Sequence, residues 1–280
     1  MDLLQAIVLG IVEGLTEFLP VSSTGHMIIA QNLLGIESTS FVKAFTVIIQ
    51  FGAILSVLVL YWRRFFYPTR KQEGNLGWWS SIWRFYLKLI VGVIPAIILG
   101  LCFNKLIDKA LGCVLIVAIM LVIGGVFMLF CDRIFNHGTE ETKLTYKRAL
   151  IIGFIQCISM IPGVSRSMAT IVGGMSQKLT RKAAAEFSFF LAVPTMLGAT
   201  CLELYKLMKD GSGNILSQGN NLAILFVGSI VSLIVAIAAI KFFISYVTKY
   251  GFRAFGWYRI IVGGAIIIAL VMGVNLQMVD

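Results

Sequence analysis

The sequence predicts an all-α polytopic membrane protein with an inverted internal repeat, in which each half is a re-entrant helix hairpin followed by three transmembrane helices. Three observations support this prediction: an apolar composition, apolar runs of membrane-spanning length, and two polar segments set inside apolar sequence. Of the 280 residues, 59% are hydrophobic and only 13% are charged, and the mean hydropathy is +0.93. A soluble domain would be about 25% charged.

The first predicted element is a short apolar helix at residues 3–18. It is too short to cross a membrane core, which needs about 20 residues. Pro20 ends it, and the polar run at 22–24 has the residue types that begin helices, so a second short helix is predicted to about Leu34. Two short helices with a polar break between them indicate a re-entrant hairpin, because irregular backbone at membrane depth must be covered by protein or line a wet cavity.

The rest of the chain alternates between long apolar runs and polar connections. A second hairpin is predicted at 148–178, broken at Pro162-Gly163, after a polar stretch at 132–147 in which His137 is expected to be solvated. The predicted full spans lie at about 41–61, 86–104, 112–131, 186–207, 222–244 and 257–275.

Matching residues relate the two halves of the chain in the same order. The pairs are Gly10 with Gly153, Glu13 with Gln156, Val21 with Val164, Ser22 with Ser165, Phe45 with Phe187, Thr46 with Ser188, Gly92 with Gly228, and Gly124-Gly125 with Gly263-Gly264. A hairpin plus three spans is an odd number of crossings, so the second copy is predicted to be inverted, as in many secondary transporters. We therefore expect one membrane domain, 1–280, made of a first repeat at 1–135 and a second, inverted repeat at 145–280.

Basic residues at the ends of apolar spans account for the net charge of +10. This placement is typical of membrane topology and lipid headgroup contact, and it argues against nucleic acid as a partner. Under the predicted topology, 17 Lys and Arg residues, Arg259 among them, lie on one side and five lie on the other. The richer side is expected to be cytoplasmic, which places both termini outside.

The first polar segment, EGLTEFLPVSSTGH, begins with two carboxylates. Glu13 and Glu17 are four residues apart and share one helix face. Two adjacent carboxylates need a divalent cation, Arg166 or a shared proton between them. A charged group inside an apolar hairpin is costly, so both glutamates are candidate functional residues.

Hydroxyls and an imidazole complete this first segment. Ser22, Ser23 and Thr24 can bind phosphate oxygens together with the free N–H groups of a helix start, although simple N-capping explains Ser22 equally well. Ser23 and His26 are three residues apart, which places a hydroxyl beside a candidate base.

The second polar segment, PGVSRSMAT, supplies the positive charge. Gly163 permits close backbone approach, Ser165 can cap a helix, and Ser167 and Thr170 add hydroxyls. Arg166 presents a planar fork suited to phosphate or carboxylate, or to an ion pair with Glu13 or Glu17. Together the two segments suit a phosphate ester or anhydride on a lipid, handled by an enzyme or by a carrier.

Both segments resemble the signature motifs of the undecaprenyl-pyrophosphate phosphatases, also called bacitracin-resistance proteins. The resemblance covers essentially the whole chain, including FTVIIQFGAILSV and EFSFFLAVPTMLGAT. It implies removal of the terminal phosphate of undecaprenyl diphosphate, which recycles the lipid carrier of cell-wall synthesis. It also implies a divalent cation, Mg²⁺ or Ca²⁺, and a site that opens to the outer face of the bacterial cytoplasmic membrane.

The residues and the resemblance together define a candidate site. The predicted metal ligands are Glu13 and Glu17; the predicted catalytic residues are Glu17, Ser23, His26 and Arg166; the predicted substrate-binding residues are Ser22, Thr24, Gly163, Ser165, Arg166, Ser167 and Thr170. The nucleophile stays open among Ser23, His26 and a water activated by a glutamate, and we favour His26 or Ser23 as attacker or proton carrier.

A transporter or lipid flippase that uses the inverted repeat for alternating access is the competing hypothesis. A hydroxyl three residues from a histidine, opposite an arginine, favours hydrolysis. A passive scaffold would have no need of polar side chains in both hairpins. The predicted partners are undecaprenyl diphosphate and membrane lipids, and a homodimer is compatible with the sequence.

We expect a tag fused to either terminus to be labelled by a membrane-impermeant reagent applied to the outside of intact cells. The reason is the excess of Lys and Arg on the opposite side. A matched tag inserted in the polar stretch 132–147 should be labelled only after the membrane is permeabilised. A terminal tag reached only from the cytoplasm contradicts the predicted orientation.

Overall fold

The computed structural model describes residues 1–67, 77–135, 138, 144–209, 215, 218–274 and 276, and every regular element among them is a helix. The elements are α1 (Leu3–Thr16), α2 (Ser23–Leu33), α3 (Ser40–Leu60), α4 (Trp62–Phe66), α5 (Trp78–Leu111), α6 (Val114–Ile134), α7 (Tyr146–Gln156), a 3-10 turn (Cys157–Met160), α8 (Arg166–Ser176), α9 (Arg181–Lys209), α10 (Asn221–Tyr250) and α11 (Arg253–Val271). His137 and three of the counted basic residues, Arg70, Lys71 and Lys143, lie outside the described residues.

Six helices in this part of the chain are long and apolar enough to cross a membrane, namely α3, α5, α6, α9, α10 and α11. They confirm the six predicted full spans. Three of them begin four or more residues earlier than predicted, α5 at Trp78 rather than 86, α9 at Arg181 rather than 186 and α11 at Arg253 rather than 257. The added turns carry polar, basic and aromatic residues, which continue a helix beyond its apolar stretch and therefore escape a search for hydrophobicity.

Both predicted hairpins are present as two short helices with a break between them. In the first hairpin, α1 begins with a capping box, in which Asp2 accepts the Gln5 N–H at 2.7 Å and Gln5 accepts the Asp2 N–H at 2.9 Å. In the second hairpin, Thr145 caps α7 by accepting the Arg148 N–H at 3.3 Å. The second break is longer because a 3-10 turn follows α7 directly.

Each hairpin packs against a span from the other half of the chain, α1 against α10 and α7 against α5. A Cβ added at Gly10 would lie 2.7 Å from the Gly228 carbonyl oxygen, and one at Gly153 would overlap the Gly92 carbonyl oxygen. These are the same glycines that the sequence match pairs between the halves. The reciprocal contact is what a duplication would produce, and the inverted orientation of the second half stays a prediction.

The hydrophobic core surrounds the two breaks. Phe18 and Val21 from the first break, Val164 from the second break and Met168 from the first turn of α8 belong to one buried cluster with residues of α9. Within it, the rings of Phe18 and Phe189 meet edge to face at 5.3 Å. The polar residues of both breaks are therefore held in a packed apolar shell.

We expect Gly153→Ala to lower the free energy of unfolding by about 1–3 kcal/mol, because the added methyl group overlaps the α5 backbone. Thermal unfolding in detergent would measure this. Gly264→Ala is the matched control, since a methyl group there meets no atom within 4 Å. An equal loss of stability in both variants would contradict the close packing of α7 on α5.

Candidate active site

The two breaks end in the same unusual backbone conformation. Ser22, the N-cap residue of α2, has φ 71°, and Ser165, the N-cap residue of α8, has φ 77°. Non-glycine residues rarely adopt positive φ, and such residues are often found at functional sites. The Ser165 hydroxyl caps α8 by accepting the Met168 N–H at 3.4 Å, as predicted.

Ser22 makes no side-chain cap, so the N-capping explanation of this residue is wrong. The N–H groups in the first turn of α2 are thus left without a capping hydroxyl from Ser22. Thr24, in that same turn, is half-buried.

An ion pair joins the two hairpins. Arg166 Nη2 lies 3.2 Å from Glu17 Oε1, and the two side chains are only 12% and 7% exposed. Arg166 Nη1 also donates to the Ser188 carbonyl at 3.2 Å, and the guanidinium carbon lies 5.9 Å from the centre of the Phe18 ring. Of the two partners considered from the sequence, Glu17 is the one that the arginine contacts.

Glu17 also binds the Ser23 hydroxyl, which donates to Oε2 at 2.7 Å. Both oxygens of this carboxylate therefore have a partner, one in each hairpin. Glu13 is fully buried one turn earlier in α1, and its carbonyl accepts the Glu17 N–H at 3.0 Å. The break brings Ser23 back to the end of α1, because a tight turn forms where the Val21 N–H donates to the Leu19 carbonyl.

His26 is bonded away from Ser23. Its Nδ1 lies 2.8 Å from the Ser22 carbonyl oxygen, and its Nε2 lies 2.7 Å from the Tyr258 hydroxyl. Because a carbonyl oxygen only accepts, Nδ1 carries a proton. The His26 and Tyr258 rings are parallel, with centres 5.5 Å apart. The hydroxyl–imidazole pair expected from the spacing is thus replaced by a pair between Ser23 and Glu17.

The hydroxyls of the second hairpin form hydrogen bonds with the first break, with their own helix and with α9. Ser167, fully buried, donates to the Leu19 carbonyl of the first break at 2.8 Å and lies 3.0 Å from the Ser165 hydroxyl. Thr170 donates to the Arg166 carbonyl at 2.8 Å and lies 2.5 Å from the Ser188 hydroxyl. Their role in substrate binding stays a prediction.

Gly163 meets its predicted requirement for close backbone approach. It has φ 90°, and a Cβ at this position would overlap the Val117 carbonyl oxygen of α6. A side chain is excluded here both by conformation and by space.

The position of Arg259 shows that the count of cytoplasmic Lys and Arg residues made from the sequence was wrong for this residue. It was placed with the cytoplasmic loop residues, but its side chain is fully buried. The guanidinium donates to five carbonyl oxygens, those of Pro20 at 3.1 Å, Gly163 at 2.8 Å, Val164 at 3.0 Å, Met120 at 3.1 Å and Leu121 at 3.3 Å. The large excess of positive charge on one side remains without it.

Three residues of the site were missed from the sequence: Ser188, Tyr258 and Arg259. Arg259 lies inside the predicted span 257–275, where a charge is costly, and that cost was the available signal. Ser188 matches Thr46 between the halves, and Tyr258 carried no signal of its own.

The carboxylates suit a cation that arrives with a phosphate. Among the described residues, no group of three or more His, Cys, Asp or Glu side chains could hold a metal ion. Glu13 and Glu17 nevertheless offer hard oxygen ligands, and Mg²⁺ is commonly bound by one or two carboxylates plus substrate phosphates. The residues therefore fit a shared cation better than a closed protein cage.

The fold and the site define a class: a helical, multi-pass membrane protein whose charged centre, built by two broken hairpins, suits a phosphate-bearing ligand. Within that class, the chain belongs to the bacitracin resistance protein BacA family, whose model matches residues 6–265.

Its relatives match over nearly their whole length. Proteins named undecaprenyl-diphosphatase are 58% identical in Porphyromonas gingivalis, covering 99% of both chains, and 53% identical in Flavobacterium psychrophilum, covering 94% of both. The relative of the same name in Bdellovibrio bacteriovorus is 50% identical over 100% of both chains. The family resemblance predicted from the two motifs is confirmed.

We expect the effects of Glu17→Gln and Arg166→Gln on the free energy of unfolding to be non-additive. Each single change leaves a buried charge without its partner, whereas the double variant removes both charges, so a double-mutant cycle should give about 1–3 kcal/mol of interaction free energy. Unfolding in detergent would measure it. The control is the exposed pair Glu203–Lys206, which is 2.6 Å apart and should give below about 0.5 kcal/mol. Equal coupling in both cycles would contradict a buried bridge.

Proposed function

We infer that this protein is a membrane phosphatase that hydrolyses undecaprenyl diphosphate to undecaprenyl phosphate and inorganic phosphate. It thereby recycles the lipid carrier of cell-wall synthesis and confers resistance to bacitracin. The observation that carries this inference from geometry is the cluster in which Glu17 binds both Arg166 and the Ser23 hydroxyl. Family membership supports hydrolysis over the flippase alternative.

Arg166 is proposed to bind the diphosphate. Its fork now holds Glu17 and the Ser188 carbonyl, and its Nε has no hydrogen-bond partner in the described part of the chain. Phosphate oxygens can take the place of the carboxylate on the same fork. In the transition state, the guanidinium would offset the charge that develops on the phosphoryl oxygens.

Ser23 is proposed as the attacking group and Glu17 as its base, since the Ser23 hydroxyl donates a hydrogen bond to Glu17 Oε2 with the two oxygens 2.7 Å apart. The Ser23 oxygen would bond to the terminal phosphorus while its proton passes to Glu17, and the bond to the bridging oxygen would break, releasing undecaprenyl phosphate. Water would then attack the serine phosphate, release inorganic phosphate and restore the hydroxyl. His26 is proposed as a proton carrier, held by Tyr258.

A bound Mg²⁺ or Ca²⁺ would be held by Glu13 and Glu17, and would supply neutralisation of the negative charge on the diphosphate. The hydroxyls and N–H groups at the starts of α2 and α8 are proposed to orient the same phosphates.

The orientation belongs to the same proposal. We place the protein in the bacterial cytoplasmic membrane, with both termini outside and the site open to the outer face. The distribution of Lys and Arg supports the placement of the termini. Undecaprenyl diphosphate and membrane lipids are the proposed partners, and a homodimer stays a prediction.

Phosphate release from undecaprenyl diphosphate by the purified protein tests the function. We expect release with Mg²⁺ or Ca²⁺ that is lost on adding EDTA. Arg166→Ala, His26→Ala and Glu17→Gln should each lower kcat/KM, by about 10²-fold or more for Arg166→Ala. Glu203→Gln is the matched control for Glu17→Gln, because this exposed glutamate pairs with a neighbouring lysine in α9, and it should keep full activity.

Near-normal turnover by Arg166→Ala would overturn its role as the diphosphate clamp. Equal losses in Glu17→Gln and Glu203→Gln would show that the site is misplaced. No release by a folded wild type would favour the flippase hypothesis, which lipid translocation in liposomes would then test.

A further inference from the structure

A single guanidinium in α11 holds the backbone of both hairpin breaks. The five N–H donors of Arg259 are all used, one for each of five carbonyl oxygens. Pro20 belongs to the first break, Gly163 and Val164 belong to the second, and the other two carbonyls belong to α6. Within the described residues, no carboxylate lies at ion-pair distance from this fully buried cation.

We infer that Arg259 is a positioning residue for the hydrolysis, which fixes the two breaks in the backbone conformation that the reaction needs. The inference rests on the proposed function for the reaction, and on the structure alone for the placement of the breaks. Arg259 contacts neither Glu17, Ser23 nor Arg166 through a hydrogen bond, so it acts through the backbone.

Two of the carbonyls that Arg259 holds lie close in the chain to the two positive-φ serines. Val164 precedes Ser165, and Pro20 lies two residues before Ser22. In a planar peptide the carbonyl oxygen and the following N–H point to opposite sides, so turning the Val164 carbonyl toward Arg259 turns the Ser165 N–H away from it. Positive φ is unfavourable for serine and persists only where the surroundings enforce it.

This placement determines where the reacting side chains lie. Ser165 is followed at once by Arg166, and Ser22 is followed at once by Ser23. A rotation of either break would move the guanidinium or the hydroxyl away from Glu17. Reacting groups displaced by about 1 Å can lose about 10²-fold in rate.

The space around the guanidinium is fitted to arginine. A Cβ at Gly124 of α6 would meet Arg259 Nη2, and one at Gly163 would overlap the α6 backbone. Lysine has a single ammonium group with three donors and no planar fork, so it cannot serve five carbonyls in two breaks and a helix. Retaining the positive charge should therefore not be enough.

The test compares Arg259→Lys with Ile266→Ala, a change at a buried α11 residue that belongs to one hydrophobic cluster with Val117 and Leu121 of α6. Both variants should melt at a lower temperature than wild type. Per folded molecule, Arg259→Lys should lose at least tenfold in kcat, with a smaller change in KM for undecaprenyl diphosphate, whereas Ile266→Ala should keep its kcat. If the lower activity of both variants were fully explained by a smaller amount of folded protein, with kcat per folded molecule unchanged, the inference would be overturned.

Amide hydrogen exchange provides a readout that needs no activity. In Arg259→Lys, peptides that cover 17–26 and 157–168 should exchange faster than in wild type, and in Ile266→Ala they should not. Unchanged exchange in both breaks would overturn the inference even if activity fell. If the wild-type protein released no phosphate, the proposed function would be wrong. Amide hydrogen exchange would still show whether Arg259 positions the two breaks.

If Arg259→Lys does not fold, Gly124→Ala is the second variant that tests the inference. It keeps the arginine but crowds Nη2. A smaller loss of kcat with faster exchange in both breaks is expected, and wild-type behaviour in both measurements would overturn the inference.

Discussion

Buried polar groups must be satisfied inside this protein, because an apolar membrane core offers no water to pair with them. The breaks of the two hairpins expose carbonyl oxygens where helical hydrogen bonding stops. The Arg259 guanidinium donates to three carbonyls of the two breaks and to two carbonyls of α6. The arrangement brings the end of α1 and the start of α8 together, and the ion pair between Glu17 and Arg166 depends on that closeness.

Glycine contacts allow a similarly close approach between each hairpin and a long span. Gly10 against Gly228 and Gly153 against Gly92 let each hairpin lie directly on a span of the other half. Small residues at helix contacts are the usual way to gain close packing where no hydrophobic force operates between helices. Each hairpin is therefore supported by the half of the chain to which it does not belong.

Many elements were predictable from the sequence because the membrane imposes strict costs. The long spans follow from hydrophobic length, and the breaks follow from Pro20 and from Pro162-Gly163 within short apolar helices. Arg166 was recognisable as a candidate functional residue because a charged side chain inside an apolar hairpin is energetically costly. Its pairing with Glu17 was predicted as one of two choices, whereas the neighbours Ser23 and His26 were wrongly expected to pair with each other.

The sequence by itself determined the membrane class, the six spans, the two hairpins and most candidate side chains, since hydropathy and the cost of buried charge are local properties of the chain. Only the tertiary structure decided which polar groups meet. Tyr258 reaches His26 from 232 residues away, and Arg259 reaches Pro20 from 239 residues away. Such partners depend on how helices from the two halves pack, and no spacing within one segment encodes that packing.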